Sequence, residues 1–312
     1  MSLCGRPKPG FVLLLIAVAV LILAALVGSS SPSRSFASSL ADPVVMAAGD
    51  IACPPGRAVE ATACRQEATS DLLSGAAAVL TLGDNQYPDA TLAEFQGSFD
   101  ASWGRFKEVM HPSAGNHEYH TAGAAGYFDY FGSSAGARGE GYYSFDLGSW
   151  HLIALNSNCA EVGGCESGSP QELWLRSDLA ANPAACVLAY WHHPRFSSGR
   201  HGGSSAYTAF WSDLYNAGAD LVLVGHDHDY ERFAPQTPDG APDAARGIRQ
   251  FVVGTGGKRL REFVSIEANS EVRNATTFGV LKLVLHATSY EWEFVPETGK
   301  TFTDSGSASC VT

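Results

Sequence analysis

The sequence contains few basic residues and few charged residues of any kind. It has 20 lysines and arginines against 32 aspartates and glutamates, a formal net charge of −12, and charged residues make up only 17% of its length. No basic stripe runs through it, so a nucleic-acid backbone does not fit as a partner. A small anionic substrate would need local positive charge, which metal ions can supply.

The chain also lacks any internal linker, repeat or low-complexity segment after residue 41. Its 312 residues are 45% hydrophobic, which is the composition of an ordinary globular protein with enough apolar side chains to bury a core. Because nothing divides residues 42–312 into parts, we predict one folded domain at 42–312. A separate segment at 1–41 precedes it.

Residues 1–41 predict an export signal. Arg6 and Lys8 precede an uninterrupted apolar run at 11–27, and a polar stretch follows that run. This order is typical of a signal peptide, with a small-x-small cleavage site at 39–41 or cleavage after Ala37. A membrane anchor is the alternative to a cleaved signal peptide, because the apolar run is only slightly shorter than the ~20 residues of a membrane-spanning helix. We expect a secreted or extracytoplasmic protein that contacts a membrane only if this segment is uncleaved.

The sequence has no C-x-x-C motif, and six of its seven cysteines remain once Cys4 is lost with the signal peptide. In an exported chain, disulfides are then favoured over thiolate ligands. Six cysteines allow many pairings, but closeness in sequence favours two of them and elimination gives the third. A zinc site built from cysteines is the alternative, and the missing C-x-x-C spacing argues against it. The expected pairs are Cys53 with Cys64, Cys159 with Cys165, and Cys186 with Cys310.

Five short apolar runs each end in polar residues that can bind a metal ion. Such runs are typical of buried strands, and the carboxyl ends of strands in an α/β sheet face the loop crevice where ligands bind. We therefore expect these side chains to lie close together. They are Asp50 after 44–48, Asp84 and Tyr87 after 77–82, Asn116 and His117 after 109–114, His192 after 186–191, and His226 and His228 after 221–224.

The remaining pattern predicts helices, further strands and one long loop. Helices are expected at 62–75, 94–106, 170–179 and 207–218, with Leu173, Trp174 and Leu179 on the buried face of the third. The segments 142–145 and 150–156 are expected to pair around a turn, and 249–253, 278–285 and 290–295 to form a closing sheet. The segment 127–141, rich in glycine, serine and aromatic residues, is expected to be a surface loop over the site.

Oxygen and imidazole ligands without thiolate suit iron, zinc, manganese or magnesium, and seven of these eight side chains, all but His117, fit two ions that share one carboxylate. The polar segments that follow the five apolar runs occur in an order that resembles the purple acid phosphatases within the metallophosphoesterase superfamily. That family's pattern is D-x-G, G-D-x-x-Y, G-N-H-[DE], V-x-x-H and G-H-x-H. Residues 83–87, 115–118 and 225–228 match fully, whereas Ala52 and Ala189 replace the glycine and valine of the first and fourth motifs.

The resemblance implies a ligand set for each of two ions. The first would be held by Asp50, Asp84, Tyr87 and His228, and the second by Asp84, Asn116, His192 and His226. In other metallophosphoesterases the first motif reads D-x-H, and its histidine binds the first metal. Here the third residue of the motif is Ala52, which cannot bind a metal, and the resemblance implies that Tyr87 takes the place of that histidine. A phenolate favours a trivalent ion, so we expect Fe(III) in the first position and a divalent ion, Zn, Fe or Mn, in the second.

The resemblance also implies catalytic and substrate-binding residues. His117, one residue after a ligand, is expected to contact a phosphate oxygen and to protonate the leaving group, and Glu118 to orient it. His201, nine residues after His192, is expected to contact the substrate, although a solvated loop histidine is the alternative.

The expected fold is an α/β (α+β), four-layer α/β/β/α sandwich of two mixed sheets with flanking helices. The expected function is a secreted phosphatase that hydrolyses small phosphate monoesters, with no nucleic-acid partner and no protein partner implied. A phosphodiesterase or nucleotidase on the same scaffold is the nearest alternative, because the ligand set does not identify the leaving group. A binding or structural protein with a relict site is the other alternative, and no ligand is missing to favour it.

Overall fold

The computed structural model describes residues 42–311. The predicted export signal and its cleavage site at 39–41 lie outside the described residues. Between residues 42 and 311, no helix combines the length and the apolar character that crossing a membrane requires.

The described chain builds two β-sheets. The six-stranded sheet has the order β13-β12-β11-β1-β2-β3, and the seven-stranded sheet has the order β10-β8-β9-β7-β6-β5-β4. The strands of the first are β1 (Val44–Ala48), β2 (Ala78–Leu82), β3 (Met110–Ser113), β11 (Gly279–Leu285), β12 (Ser289–Pro296) and β13 (Ser305–Ser309). Those of the second are β4 (Tyr143–Leu147), β5 (Trp150–Ala154), β6 (Cys186–Tyr190), β7 (Leu221–Val224), β8 (Tyr230–Phe233), β9 (Arg249–Val253) and β10 (Ser270–Asn274).

Both sheets are mixed, as the sequence predicts. Strands β1, β2 and β3 run parallel, and so do β5, β6, β7 and β9, whereas the outer strands pair antiparallel. The parallel strands β2, β5, β6 and β7 are buried along their whole length. Parallel strands covered on both faces read as continuous apolar runs, which is why they were visible in the sequence.

The two sheets pack face to face. In β7, Leu221 and Leu223 belong to the apolar cluster shared with the six-stranded sheet, whereas Val222 and Val224 belong to a second cluster on the opposite face. This alternation is the period-two pattern of a strand covered on both sides. The second cluster is completed by helices α4 (Pro170–Ala181) and α5 (Thr208–Asn216). Helices therefore flank the paired sheets, and the fold prediction is confirmed.

Three disulfides close the chain in the pairing expected from sequence. Cys53 joins Cys64, and Cys159 joins Cys165, over separations of 11 and 6 residues. The third bond spans 124 residues and joins Cys186, at the start of β6, to Cys310, directly after β13. It therefore links the seven-stranded sheet to a segment that leaves the six-stranded sheet.

Of the first two predicted helices, one is shorter than expected and the other is interrupted. The first, predicted at 62–75, is only α1 (Gln66–Ser70) with a 3₁₀ turn, because the preceding Cys64 has φ 62° and is bonded to Cys53. The second, predicted at 94–106, begins earlier with α2 (Leu92–Glu94), continues as a π turn at Phe95–Phe99, and resumes as a 3₁₀ helix at Trp103–Val109. The backbone of Ser102, with ψ −96°, separates the last two parts.

The segment predicted as a surface loop at 127–141 is instead partly helical and buried. Helix α3 (Ala125–Phe131) buries Tyr127, Phe128 and Tyr130, and the Tyr127 hydroxyl donates to the Pro112 carbonyl at 3.0 Å. Gly126 allows this packing, because a Cβ there would lie 2.1 Å from the Ala90 carbonyl oxygen. The aromatic residues of the segment indicated a core helix, and its glycines misled the prediction.

Two further expectations about packing are wrong in detail. The segments expected to form one closing sheet are divided, because β9 lies in the seven-stranded sheet and β11 with β12 in the six-stranded sheet. In α4, Trp174 and Leu179 are partly buried against the second cluster as expected, whereas Leu173 is 49% exposed and the fully buried hydrophobic residue is Leu175. Strands β8, β10 and β13 were not anticipated at all.

Candidate metal centre

The predicted ligands lie at the carboxyl ends of the central parallel strands. Asp50, Asp84 and Asn116 follow β1, β2 and β3 of the six-stranded sheet, while His192 and the pair at 226 and 228 follow β6 and β7 of the other sheet. The two groups meet across the sandwich, where the Gly49 N–H donates to the Val253 carbonyl at 2.9 Å and the His226 N–H to Asp50 Oδ2 at 2.9 Å.

Three of the candidate ligands have a left-handed backbone. The φ angles are 58° at Asp50, 48° at Asp84 and 71° at His226. None of these is glycine, and each such conformation costs about 1–3 kcal/mol unless the surroundings enforce it. The strands therefore end in sharp, strained turns at the place where the side chains converge. Backbone strain of this kind is typical of functional sites.

One group of donor atoms surrounds the hydroxyl of Tyr87. This oxygen lies 2.8 Å from Asp50 Oδ1, 2.9 Å from Asp84 Oδ2 and 3.3 Å from His228 Nε2. His228 Nε2 is also 3.2 Å from Asp50 Oδ1. A single hydroxyl proton can bond only one carboxylate at a time, so the group has more acceptors than donors. An electron-rich cluster of this kind fits a cation.

A second group of donor atoms lies on the other side of Asp84. Its Oδ1 is 3.4 Å from His192 Nε2, which is 3.2 Å from His226 Nδ1. The Oδ1 atom of Asn116 is buried and has no hydrogen-bond partner among residues 42–311. Leaving such an atom unpaired costs about 1–3 kcal/mol, so Asn116 also fits a metal ligand. Asp84 presents one carboxylate oxygen to each group.

The backbone fixes which nitrogen of two histidines faces the centre. His192 Nδ1 lies 2.8 Å from the Leu82 carbonyl and His228 Nδ1 lies 2.7 Å from the Arg259 carbonyl. A carbonyl only accepts, so each Nδ1 donates its proton and each Nε2 is the nitrogen that faces the carboxylates and can bind a metal. This is the arrangement by which proteins orient metal-binding histidines.

Burial or neighbouring carboxylates favour the protonated forms of Tyr87 and His192. Burial raises the pKa of Tyr87 well above its usual value, and the Asp50 and Asp84 carboxylates act in the same direction. Burial disfavours a charged His192, but the Asp84 carboxylate outweighs it and raises the histidine's pKa to about 9. A bound cation has to displace these protons, so metal binding at this site is linked to proton release.

Glu118 lies between the loops that follow β2 and β3 and is fully buried. Its carboxylate accepts the backbone N–H groups of Gly115 at 2.6 Å, Asp84 at 3.0 Å and Asn85 at 2.9 Å. Burial, followed by the charge of Asp84, raises the pKa of Glu118 to about 7, and the Gly115 N–H acts against this rise. Glu118 thereby joins the loops that follow β2 and β3.

His117 is oriented by a different group from the one expected. Its Nδ1 donates to the Pro88 carbonyl at 2.5 Å, and Glu118, which was expected to orient it, bonds backbone amides instead. His117 Nε2 lies 3.8 Å from Asp84 Oδ2, and its side chain is 24% exposed. The Nε2 atom therefore borders the centre and is open to solvent.

His201 lies beside the second group of ligands. Its ring is 4.3 Å from the ring of His226, and its Nε2 is 2.5 Å from Nη1 of Arg261. Asp227, between the two histidines of the last motif, accepts the His201 N–H at 2.7 Å and the Ser197 hydroxyl at 2.6 Å. Asp227 was missed from the sequence, although its buried position between two ligands was a signal that it shapes the site.

A basic loop at residues 258–261 was also missed. The Nζ of Lys258 lies 4.3 Å from the centre of the Tyr87 ring, and the Lys258 N–H donates to the Asp50 carbonyl at 2.8 Å. The Arg261 N–H donates to the His228 carbonyl at 3.0 Å. The available signal was three basic residues within four positions, directly after a predicted strand and two glycines.

An open cleft of about 550 Å³ borders the second group of ligands. Asn116 and His193 line it together with Tyr119, His120 and Tyr207. A cavity of similar volume, about 560 Å³, lies against α4 and α5 and is lined by none of the predicted ligands. Position beside the converging donors, and not volume, identifies the first as the candidate substrate cleft.

The chain is similar to known phosphoesterases. A family model described as calcineurin-like phosphoesterase matches residues 44–230, more than half of the sequence. This range includes every residue of the two ligand groups. The sequence motifs and the family model therefore identify the same stretch of the chain.

Purple acid phosphatases are among the similar proteins. Purple acid phosphatase 15 of Arabidopsis thaliana is 29% identical over 174 residues, which cover 47% of this chain and 30% of that protein. The purple acid phosphatase PPD1 from yellow lupin matches in structure with a TM-score of 0.71 at 19% identity, over 86% of this chain and 53% of that one.

A Plasmodium protein titled GAP50, an anchor in the inner membrane complex, matches with a TM-score of 0.61 at 14% identity, over 87% of this chain and 90% of its own. At these identities the solved structures show the fold alone. The match with the Arabidopsis relative covers less than a third of that protein's length.

Proposed function

Since the chain belongs to the calcineurin-like phosphoesterase family, we propose that it is a phosphatase that hydrolyses phosphate monoesters at a two-metal centre. One observation carries the proposal. Asp84 presents one carboxylate oxygen 2.9 Å from the Tyr87 hydroxyl and the other 3.4 Å from His192 Nε2, so it stands between two groups of donor atoms. A carboxylate in that position is suited to bridge two ions.

The donor chemistry supports one ligand set for each ion. We assign Asp50, Tyr87 and His228 to the first, Asn116, His192 and His226 to the second, and Asp84 to both. Oxygen and imidazole donors without sulfur suit iron, zinc and manganese.

The first position is proposed to hold Fe(III). Burial and two neighbouring carboxylates keep the proton on the Tyr87 phenol, so only a strongly charged cation displaces it. The second position has neutral donors apart from Asp84, which suits a divalent ion such as Zn, Fe or Mn.

When bound, the two ions neutralise phosphate charge and lower the pKa of a coordinated water. His117 is proposed as the acid that protonates the leaving oxygen, because its Nδ1 is committed to the Pro88 carbonyl and only Nε2 remains to transfer a proton. Glu118 is proposed as a positioning residue that holds the loop on which His117 lies. His201 is proposed to contact the substrate.

Kinetics with matched substrates test the monoester proposal. The measurement compares kcat/KM for p-nitrophenyl phosphate with kcat/KM for bis(p-nitrophenyl) phosphate, and we expect the monoester to be preferred at acidic to neutral pH. A higher value for the diester would replace the proposal with a phosphodiesterase. The open cleft of about 550 Å³ beside Asn116 is the observation that favours this second candidate, because it has room for a larger leaving group.

Export from the cytoplasm is proposed on the strength of the three disulfides, since such bonds persist outside reducing compartments. Mass spectrometry of the protein isolated from its native compartment, with and without thiol alkylation, tests this. We expect a chain that begins near residue 42 and no free thiol. Six alkylated cysteines would contradict it.

A further inference from the structure

The basic loop, Lys258-Arg259-Leu260-Arg261, is unusual in a chain whose net charge is −12. Arg259 is paired with Glu60 at 3.1 Å. Among residues 42–311, Lys258 and Arg261 form no salt bridge, and both are only partly exposed. The loop therefore presents two cations that no carboxylate among residues 42–311 pairs in a salt bridge.

The loop is held in place by the candidate metal ligands. The Lys258 N–H donates to the Asp50 carbonyl at 2.8 Å, the Arg261 N–H to the His228 carbonyl at 3.0 Å, and His228 Nδ1 to the Arg259 carbonyl at 2.7 Å. Three hydrogen bonds within four residues fix the backbone relative to the centre. The two charged side chains therefore start from fixed positions, which lowers the entropy lost when they bind an anion.

The two cations without a salt bridge both lie beside the centre. Lys258 Nζ is 4.3 Å from the Tyr87 ring, whereas Arg261 contacts His201, whose ring is 4.3 Å from that of His226. A small cavity of about 100 Å³ is lined by Arg57, Lys258, Arg259 and the Cys53–Cys64 disulfide. At about 30 Å³ per water, it has room for roughly three waters or one tetrahedral anion of similar size.

Two bound cations would repel Lys258 and Arg261, which lie next to the ligands that hold them. The phosphate that is hydrolysed is neutralised by the ions, so its charge does not account for the two extra cations. A second anionic group on the substrate offsets both the repulsion and the unpaired charge.

We propose that the basic loop is a second anion subsite, through which the enzyme prefers phosphate monoesters that carry another phosphate group. This inference rests on the proposed phosphatase function. Lys258 and Arg261 are the residues that set the preference, and Arg259 contributes less because Glu60 already neutralises it.

The kinetic test compares fructose 1,6-bisphosphate with fructose 6-phosphate in the metal-loaded enzyme. The quantity measured is the ratio of their kcat/KM values within each variant, because a general effect on the metal centre cancels in that ratio. We expect the wild type to prefer the bisphosphate, and K258Q/R261Q to reduce the ratio about tenfold, with the preference also falling as salt is raised. Lys282→Gln, on β11, is the matched control and should leave the ratio unchanged.

Binding provides a readout that does not require hydrolysis. Calorimetry of the metal-loaded protein with propane-1,3-bisphosphonate and with propylphosphonate compares ligands that differ only in the second anionic group. We expect the bisphosphonate to bind more tightly to the wild type, and this difference to shrink about tenfold in K258Q/R261Q and to remain in Lys258→Arg.

The subsite is overturned if the wild type shows no preference for the second anionic group, or if K258Q/R261Q retains it. Absence of hydrolysis of every monoester by a protein that still prefers the bisphosphonate would instead reject the phosphatase and keep the subsite.

Discussion

The two sheets contribute different chemistry to the same centre. The candidate ligands that follow strands of the six-stranded sheet are all oxygen donors, the side chains of Asp50, Asp84, Tyr87 and Asn116, and we call them the oxygen half. The seven-stranded sheet supplies only imidazoles, His192, His226 and His228, which we call the imidazole half. Neither half alone provides two complete coordination sets.

Each half is also oriented by the other. His192 of the imidazole half donates through Nδ1 to the Leu82 carbonyl of β2, and the His226 N–H donates to Asp50 Oδ2 of the oxygen half. The geometry of the centre therefore depends on how the two sheets pack. Ions bound between them are expected to strengthen that packing in return, since they bind only the folded arrangement.

The largest effect is expected from Asp84→Ala, because Asp84 is the side chain proposed to bridge the two ions. We expect phosphatase activity to fall by at least ~10³-fold and the metal content to drop below two ions per chain. Metal analysis and kinetics with p-nitrophenyl phosphate measure both. The exposed Asp89→Ala is the control, and an active Asp84→Ala protein with two ions would contradict the bridging assignment.

A smaller effect is expected from His117→Asn, which removes a proposed acid from the oxygen-half loops without removing a ligand. The loss should be about 10²-fold for an alkyl phosphate and much less for p-nitrophenyl phosphate, whose leaving group needs no proton. The two substrates are compared in the same variant. Equal losses on both would point to a structural role for His117.

A pair of variants separates the two halves. Tyr87→Phe should remove the visible absorption band of a phenolate bound to ferric iron and lower activity by roughly tenfold, because Asp50, Asp84 and His228 still hold the first ion. His226→Ala should retain the band and lose the second ion. Visible spectra with metal analysis decide, and a colourless, iron-free wild type with full activity would reject the Fe(III) assignment.

Metal removal tests whether the ions join the sheets. Chelation followed by thermal unfolding should lower the Tm by roughly 10 °C, and adding the metals back should restore it. The three disulfides remain intact in this experiment, so any loss is due to the ions. An unchanged Tm would mean that apolar packing alone fixes the two sheets.

The smallest effect concerns His151, which is buried in β5 of the seven-stranded sheet between Asp146 and Asp178, with both distances 2.8 Å. Burial lowers the pKa of His151, but its bonds to the two carboxylates outweigh burial and raise it. The stabilisation is therefore complete below the unfolded pKa, near 6.5, and is lost as the pH rises through the raised folded value.

Urea unfolding of the wild type and His151→Gln at pH 6 and pH 9 measures this effect. The difference in unfolding free energy between the two proteins should shrink at the higher pH. A difference that grows with pH would show that the histidine is neutral in the folded protein.

The strands that carry the ligands were predictable because they are buried on both faces. A continuous apolar run followed by Gly-Asp or Gly-His gives a local signal, and Ala78–Leu82 and Leu221–Val224 were both found in this way. The disulfides followed from short separations and a process of elimination. These features depend on residues that are close together in the sequence.

The features that were missed depend on contacts between distant residues. Glu118 was expected to orient its neighbour His117, yet its carboxylate accepts N–H groups from the loop after β2. Lys258 lies over Tyr87, 171 positions earlier, and nothing local in either segment indicates the pair. The helix Ala125–Phe131 was misassigned because glycine is usually a turn residue, whereas here it permits close packing.

The bond between Cys186 and Cys310 turns part of the chain into a covalent ring. The ring spans 124 residues and includes the three candidate imidazole ligands, His201 and the basic loop. A protease that cuts once inside it, for instance in the exposed segment 237–246, opens the ring but releases no fragment. By the chain-entropy relation, closing a ring of this length lowers the conformational entropy of the unfolded state by about 5 kcal/mol at 25 °C. A nick gives that entropy back, yet the nicked protein stays in one piece until the disulfide is reduced.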